Sequence, residues 1–193
     1  GKVAMVTGGS GALGRMHCLS LARAGCNIAV TGHSHLGKAE AVVEEVKALG
    51  RKALAVKMDV SDLDEVRVGV EKVEKELGAV DILVNNAAFG IVRAVTLVKM
   101  NKKDWDRDLS INLTGAFNTI KCCMPGMVER GWGRIINVSS IAGTMGGIGQ
   151  CSYASTKAGL IGLTKTVALE GARKGITCNA MVLGVFDAGS FYE

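Results

Sequence analysis

Tyr153 and Lys157 are four residues apart in a stretch whose pattern predicts a helix, so their side chains share one face, one turn apart. Tyrosine has an ordinary pKa of about 10 and is a poor base at neutral pH. A neighbouring ammonium favours the phenolate, and we expect Lys157 to lower the Tyr153 pKa towards the working range. The pair therefore predicts a group that takes a proton from an alcohol or returns one to a carbonyl oxygen.

The Tyr-x-x-x-Lys spacing is also common among ordinary exposed helical pairs, so the chemistry needs support from other residues. Ser140 stands at the end of a predicted strand, and Asn112 lies in the segment Ser110-Ile111-Asn112-Leu113-Thr114-Gly115. These two residues complete a candidate catalytic set with Tyr153 and Lys157.

A glycine-rich turn stands near the start of the chain. The run Thr7-Gly8-Gly9-Ser10-Gly11-Ala12-Leu13-Gly14 follows a predicted strand and precedes a predicted helix from about Arg15 to Ala24. Such a turn lets backbone amides and the positive end of a helix approach a pyrophosphate. Alone it could be a tight connection, but a second predicted strand about twenty residues on fits a dinucleotide-binding unit.

The end of that second strand bears on the choice of cofactor. An acidic residue there would hydrogen-bond the adenosine ribose of NAD, but the sequence has Gly32-His33-Ser34-His35. No carboxylate in this stretch would repel a 2′-phosphate, and His33, Ser34 and Lys38 could accept one. The pattern favours NADP(H), with NAD(H) as the alternative because no arginine is present, and a simple solvated loop also fits the histidines.

Short apolar runs rich in β-branched residues alternate with longer runs of helical periodicity. This alternation predicts an α/β fold with a doubly wound, mostly parallel sheet and helices on both faces. Among the helices, the third is expected to begin at a Ser61 cap, and two later ones to cover Trp105 to Val128 and Cys151 to Ala172. The small residues of the last helix suggest a subunit interface, hence a homodimer or homotetramer. The predicted strands are Val3 to Thr7, Asn27 to Thr31, Ala53 to Lys57, Ile82 to Asn85, Arg134 to Ser139 and Thr177 to Val182.

Composition narrows the classes of protein. The 193 residues contain no stretch that resembles a linker, which predicts one domain. The net charge of +5 is spread among mixed Lys and Glu rather than in a basic stripe, so we expect no nucleic-acid partner. No apolar run approaches the roughly 20 residues that span a bilayer, so no membrane span is expected. Six cysteines without a C-x-x-C pair and three scattered histidines predict a reduced cytoplasmic protein with no metal site.

From end to end, the chain resembles a short-chain dehydrogenase/reductase. The matching motifs are the glycine-rich turn, Asp59-Val60, Asn85-Asn86-Ala87, and the four candidate catalytic residues. The resemblance implies a Rossmann fold with strand order 3-2-1-4-5-6, without the family's last strand. It implies one NAD(P)-binding domain over 1–193 that stops about where the substrate-binding loop begins. The implied activity is NAD(P)-dependent interconversion of a secondary alcohol and a ketone.

The resemblance also implies a role for each site residue. Ser140 would hydrogen-bond the reacting oxygen, and Tyr153 would be the acid or base. Lys157 would bind the nicotinamide ribose and lower the tyrosine pKa, and Asn112 would hold a water between Lys157 and solvent. Asn86 and Asp59 could instead satisfy loop backbone. The residues implied around the cofactor are Gly8, Ser10, Gly11, Leu13, Gly14, His33, Ser34, Asp59, Val60, Asn86, Ala87, Tyr153, Lys157 and Phe186.

Within the family, the stretch Gly143 to Gln150 most resembles 3-oxoacyl-[acyl-carrier-protein] reductases and related hydroxyacyl thioester dehydrogenases, which implies a 3-oxoacyl or 3-hydroxyacyl thioester substrate. Ala12 replaces the second glycine of the family's turn, Leu183 replaces a proline, and Ala188 replaces a threonine that would contact the nicotinamide carboxamide. These departures leave open a non-catalytic nucleotide-binding subunit or sensor of the same fold. A sugar-nucleotide epimerase or dehydratase is disfavoured because such enzymes are usually longer.

Overall fold

A computed structural model describes residues 1–34, 36–89 and 94–184 of the chain. Six parallel strands form one sheet with the order β3-β2-β1-β4-β5-β6. The predicted strand order is confirmed, and the predicted bounds differ by only one or two residues. The strands are β1 Val3–Val6, β2 Asn27–Gly32, β3 Ala53–Lys57, β4 Val80–Asn85, β5 Gly133–Ser140 and β6 Ile176–Leu183.

Helices cover both faces of the sheet, which explains why the strands are apolar on both sides. One buried cluster joins the sheet to α1 and α2, and the other joins it to α3, α5 and α7. The sheet order jumps from β1 to β4, and ligands of such sheets bind in the crevice at the carboxyl ends of the strands there. None of the helices in the described ranges is long and apolar enough to cross a membrane. The helices are α1 Ala12–Arg23, α2 Leu36–Ala48, α3 Leu63–Glu76, α4 Lys102–Leu109, α5 Gly115–Glu129, α6 Ala142–Met145 and α7 Cys151–Gly171.

The helix predicted from Trp105 to Val128 is interrupted. Helix α4 ends at Leu109, the next turn, Ser110–Thr114, is a π-helix, and α5 continues from Gly115. In the π turn the amide of Gly115 donates to the carbonyl of Ser110, five residues back. Such turns occur frequently at functional sites, and this one contains the candidate Asn112, which is 2% exposed.

The predicted cap of α3 is wrong by one residue. The side chain of Asp62 accepts hydrogen bonds from the amides of Asp64 and Glu65 at 2.8 and 3.0 Å, as an N-cap does. Ser61 lies one residue too early, and its amide and hydroxyl both donate to Asp59. A carboxylate also suits the positive end of the helix better than a hydroxyl.

The Asp62→Ala substitution is expected to lower the free energy of unfolding by about 1 kcal/mol, because two amides of the first turn lose their acceptor. Urea denaturation measures this change. Ser61→Ala is the matched comparison, and we expect it to cost less because Ser61 bonds no helix amide. A larger loss for Ser61→Ala than for Asp62→Ala would show that the cap is misassigned.

Candidate active site

A cavity of about 420 Å³ lies at the carboxyl ends of the strands. It brings together two motifs that are far apart in the sequence, the glycine-rich turn after β1 and the Tyr153–Lys157 pair of α7. Eleven of the residues implied at the site line it: Gly8, Ser10, Gly11, Leu13, Gly14, His33, Asn86, Ala87, Ser140, Tyr153 and Lys157. Its other lining residues are Ala12, Gly32, Ala88, Val138, Ser139, Leu183 and Gly184.

The glycine-rich turn favours glycine at two positions, at one because of a close contact and at the other because of its backbone conformation. A Cβ atom on Gly14 would lie 2.2 Å from the carbonyl oxygen of Gly8 and 2.7 Å from the Cα of Gly9. Gly8 has a φ of +60°, which favours glycine. Gly8, Gly11 and Gly14 all line the cavity, so at the start of α1 its wall includes residues without side chains, which suits the close approach of a pyrophosphate. The residues present fit a dinucleotide.

Helix α1 begins at Ala12, earlier than the predicted start near Arg15. Ala12 is therefore the first helical residue, and its exposed side chain borders the cavity without filling the turn. At Gly11 an added Cβ would meet only the Gly8 carbonyl, at an ordinary 3.5 Å. The replacement of the family's second glycine is thus accommodated by the open end of the helix.

Asn86 ties the glycine-rich turn to the end of β4. Its side-chain amide donates to the carbonyls of Thr7 and Gly8 at 2.9 and 3.1 Å. The Thr7 hydroxyl in turn accepts from the amides of Asn86 and Ala87, both at 3.0 Å. Asn86 borders the cavity, but its side chain satisfies loop backbone, which was the alternative reading of this residue.

Directly after β2, His33 lies near a carboxylate that the local sequence does not reveal. Its Nε2 lies 3.5 Å from Oδ2 of Asp59, which follows the neighbouring strand β3. Asp59 also accepts from Ser61, and the carbonyl of Val60 accepts from Asn118 at 2.9 Å. Among the described residues, the cavity wall includes His33 but not Ser34, Asp59 or Val60.

Tyr153 is 8% exposed and faces the cavity. Burial raises its pKa above the ordinary value, and a hydrogen bond with Ser140 acts in the opposite direction. The Ser140 oxygen accepts from the amide of Ala142 at 3.2 Å, so the hydroxyl proton is available for the phenol. In the chain by itself, the Tyr153 pKa therefore moves upwards, opposite to the sequence expectation.

Lys157 is 3% exposed, and its Nζ donates to the carbonyl of Val138 at 2.7 Å. Burial lowers its pKa to about 8. The Nζ lies 5.5 Å from the centroid of the Tyr153 ring, close enough for the ammonium to attract the ring electrons. The upward shift of the Tyr153 pKa comes from desolvation, and the group that opposes it is Ser140 rather than Lys157.

The end of β5 and the start of α6 hold the backbone of Lys157 in place. The hydroxyl of Ser139 donates to the Lys157 carbonyl at 2.8 Å. A Cβ on Gly143 would lie 2.6 Å from the Lys157 carbonyl carbon, so α6 packs directly on the backbone of α7. Val138, Ser139 and Gly143 were not identified from the sequence, because only their tertiary contacts distinguish them.

Asn112 does not line the cavity wall given by the described residues. Its side chain accepts from the amide of Phe89 at 2.7 Å and donates to the carbonyl of the same residue at 3.0 Å. It also donates to the hydroxyl of Thr156 at 3.4 Å. The side chain therefore secures the segment after β4, and its implied contact with a water remains a prediction.

Two implied cofactor positions, Phe186 and Ala188, lie outside the described residues. Within the ranges that are described, no cluster of three or more His, Cys, Asp or Glu could hold a metal ion.

A doubly wound sheet whose crevice joins a glycine-rich turn to a Ser-Tyr-Lys group defines a Rossmann-type oxidoreductase. Comparison with known proteins agrees, because the short chain dehydrogenase family model matches residues 2–192. The chain belongs to the short-chain dehydrogenase/reductase family and is an NAD(P)-dependent oxidoreductase that acts on CH-OH groups. The resemblance seen in the sequence is confirmed.

Curated relatives and a solved structure place the chain more closely. It is 46% identical over 183 residues to a 3-oxoacyl-[acyl-carrier-protein] reductase of Staphylococcus aureus (strain Mu50), covering 95% of this chain and 74% of the relative. Identity to an acetoacetyl-CoA reductase of Cupriavidus necator is 42%, with the same coverage. A crystal structure of NAD+-bound xylitol dehydrogenase superposes with a TM-score of 0.88 at 34% identity, over 95% of this chain and 70% of that one.

Proposed function

We propose that the protein reduces a 3-oxoacyl thioester to the 3-hydroxyacyl thioester with NADPH, and catalyses the reverse reaction. The observation that carries this proposal is the meeting of Ser140, Tyr153 and Lys157 at the cavity that also reaches the glycine-rich turn. Two observations support a thioester as the substrate. One is the family resemblance of the stretch Gly143 to Gln150, and the other is the similarity to a 3-oxoacyl-[acyl-carrier-protein] reductase and an acetoacetyl-CoA reductase.

The roles of the side chains follow from their hydrogen bonds. When bound, a reduced nicotinamide supplies the hydride that the carbonyl carbon accepts. Ser140 holds the carbonyl oxygen near the phenol, and Tyr153 donates its proton to that oxygen, which completes the secondary alcohol. The ammonium of Lys157 then stabilises the phenolate until it is protonated again. Holding Lys157 between Val138 and the Tyr153 ring keeps that charge at the site.

The raised pKa of Tyr153 and the lowered pKa of Lys157 give a pH dependence with a definite sign. Below about pH 8 the phenol holds its proton and Lys157 is charged, so the rate of reduction is expected to be nearly constant. Above about pH 8 the ammonium is lost and the rate of reduction falls. The measurement is kcat for reduction at saturating substrate, from about pH 6 to about pH 10. A rate that keeps rising across this range would contradict the proposed proton donor.

NADPH is the proposed cofactor, with NADH as the alternative. The support is His33 in the cavity wall and the lack of a carboxylate among the described residues that end β2. Asp59 lies 3.5 Å from His33 and is not among the described residues that line the cavity wall. The NAD+ in the xylitol dehydrogenase crystal structure favours the alternative. Steady-state kinetics with each cofactor test this preference, and a lower KM for NADH than for NADPH would show that NADH is the cofactor.

We also propose the domain organisation, the oligomeric state and the location of the protein. Residues 1–193 form one NAD(P)-binding domain, and the protein is a homodimer or homotetramer through the helices Trp105 to Val128 and Cys151 to Ala172. It acts on a small-molecule alcohol or ketone in the cytoplasm, which the six free cysteines support. Size-exclusion chromatography that shows only monomer would exclude the oligomer.

A panel of substrates tests the proposed activity. The protein is incubated with NADPH or NADH and with acetoacetyl-CoA, longer 3-oxoacyl thioesters and simple ketones, while the cofactor absorbance is followed. We expect the thioesters to give the highest kcat/KM. Faster turnover of simple ketones would reject the thioester, and cofactor binding without turnover would favour a non-catalytic sensor.

A further inference from the structure

Two hydrogen bonds join helix α4 and the π turn to helix α7. The hydroxyl of Ser152 donates to Oδ2 of Asp108 at 2.5 Å, and the amide of Asn112 donates to the hydroxyl of Thr156 at 3.4 Å. On each side the two partners are four residues apart, so the bonds lie one above the other along the helices. Together they fix the rotation of α7 about its own axis.

That rotation sets where the reactive groups of α7 point. Tyr153 follows Ser152 directly, and Lys157 follows Thr156, while each residue of a helix turns by about 100° from the last. Ser152 and Thr156 are 2% and 0% exposed. Holding their side chains against α4 and the π turn therefore directs Tyr153 and Lys157 to the adjacent face, where the cavity lies.

Asp108 is the unusual member of this contact. It is only 1% exposed, and burying a carboxylate costs free energy unless hydrogen bonds compensate. Its partner Ser152 is the second residue of α7, where the helix N-terminus attracts negative charge. By contrast Lys102, Asp104 and Asp106, on the same short helix, are exposed or partly exposed. The buried carboxylate of Asp108 therefore contacts the residue that directly precedes Tyr153. The proposed reaction does not use this carboxylate.

We propose that Asp108 is a positioning residue for Tyr153 and acts through Ser152. The proposal rests on the role of Tyr153 in the proposed function. Without the Asp108–Ser152 bond, the first turn of α7 is held less tightly than the next turn, where the Asn112–Thr156 bond remains, and the phenol is less well placed against the reacting oxygen. Binding of the cofactor at the glycine-rich turn is not affected, because that turn is held by Asn86 and Thr7. The loss therefore falls on kcat.

Ser152→Ala tests this proposal, because it removes the donor while alanine favours the helix. We expect kcat to fall about ten-fold while KM for NADPH stays close to that of the parent. The unfolding midpoint should also fall, because the buried Asp108 carboxylate loses a donor. Ser155→Ala is the matched control, since Ser155 is exposed in the same turn, and it should leave kcat unchanged. Asp108→Ala removes the acceptor of the same bond and should lower kcat by at least as much as Ser152→Ala.

Two results would overturn the proposal. One is parental kcat in Ser152→Ala, and the other is a fall in kcat that comes with an equal loss of NADPH affinity. The outcome is separable from that for the proposed function. If Tyr153→Phe is inactive while Ser152→Ala is fully active, only the positioning role of Asp108 fails. If Tyr153→Phe is active, the role of Tyr153 itself fails.

Discussion

Replacing Tyr153 by phenylalanine is expected to lower kcat for thioester reduction by about 10²- to 10⁴-fold, the range that general acid catalysis contributes. The ring that packs at the cavity wall is retained, and only the hydroxyl that bonds Ser140 is lost. KM for NADPH should therefore change little. Steady-state kinetics with both substrates varied separate the two effects. Parental activity in Tyr153→Phe would mean that another group supplies the proton.

Gly14→Ala is expected to weaken NADPH binding by about 100-fold or more, because its Cβ would lie 2.2 Å from a backbone oxygen. The turn has to move to admit the methyl, and this movement changes the cavity wall that Gly8 and Gly14 form. Fluorescence titration with NADPH measures the dissociation constant.

Gly11→Ala provides the comparison for Gly14→Ala within the same turn. Gly11 has a φ of −76°, and the nearest atom to an added Cβ is 3.5 Å away. We expect a much smaller loss of affinity there. Equal losses in the two variants would show that the close approach at Gly14 does not matter for binding.

The strands were predictable because each is a short apolar run between helical segments, whereas their order in the sheet followed from the family resemblance. The same local reasoning places Gly8 and Gly14 at the turn, since glycines between a strand and a helix have a known use. The cap of α3 was missed because Ser61 and Asp62 are adjacent residues that both favour capping. The π turn was missed because hydrophobic periodicity does not show one extra residue in a turn.

The features that tune the site depend on contacts between distant segments. Nothing near Lys157 in the sequence indicates that its ammonium meets the carbonyl of Val138. The burial of Asp108 was equally hidden, because it stands in a charged stretch that suggests a solvated helix. The pKa of Tyr153 was predicted in the wrong direction for the same reason, since the tyrosine's burial depends on the whole fold.

These contacts show that different segments of the fold position the two ends of the site. The glycine-rich turn and Asn86 hold the cofactor end, while Val138, Ser139 and Gly143 hold Lys157. The α4 and π-turn segment fixes the face of α7 that carries the reactive groups.

The most direct test of this account follows the hydrogen atom itself. The protein is incubated with acetoacetyl-CoA and NADPH deuterated at the transferable position of the nicotinamide, and the product is analysed by mass spectrometry. We predict 3-hydroxybutyryl-CoA with deuterium on the carbon that bears the new hydroxyl. Absence of that product, or a product without deuterium, would contradict hydride transfer to a 3-oxoacyl thioester.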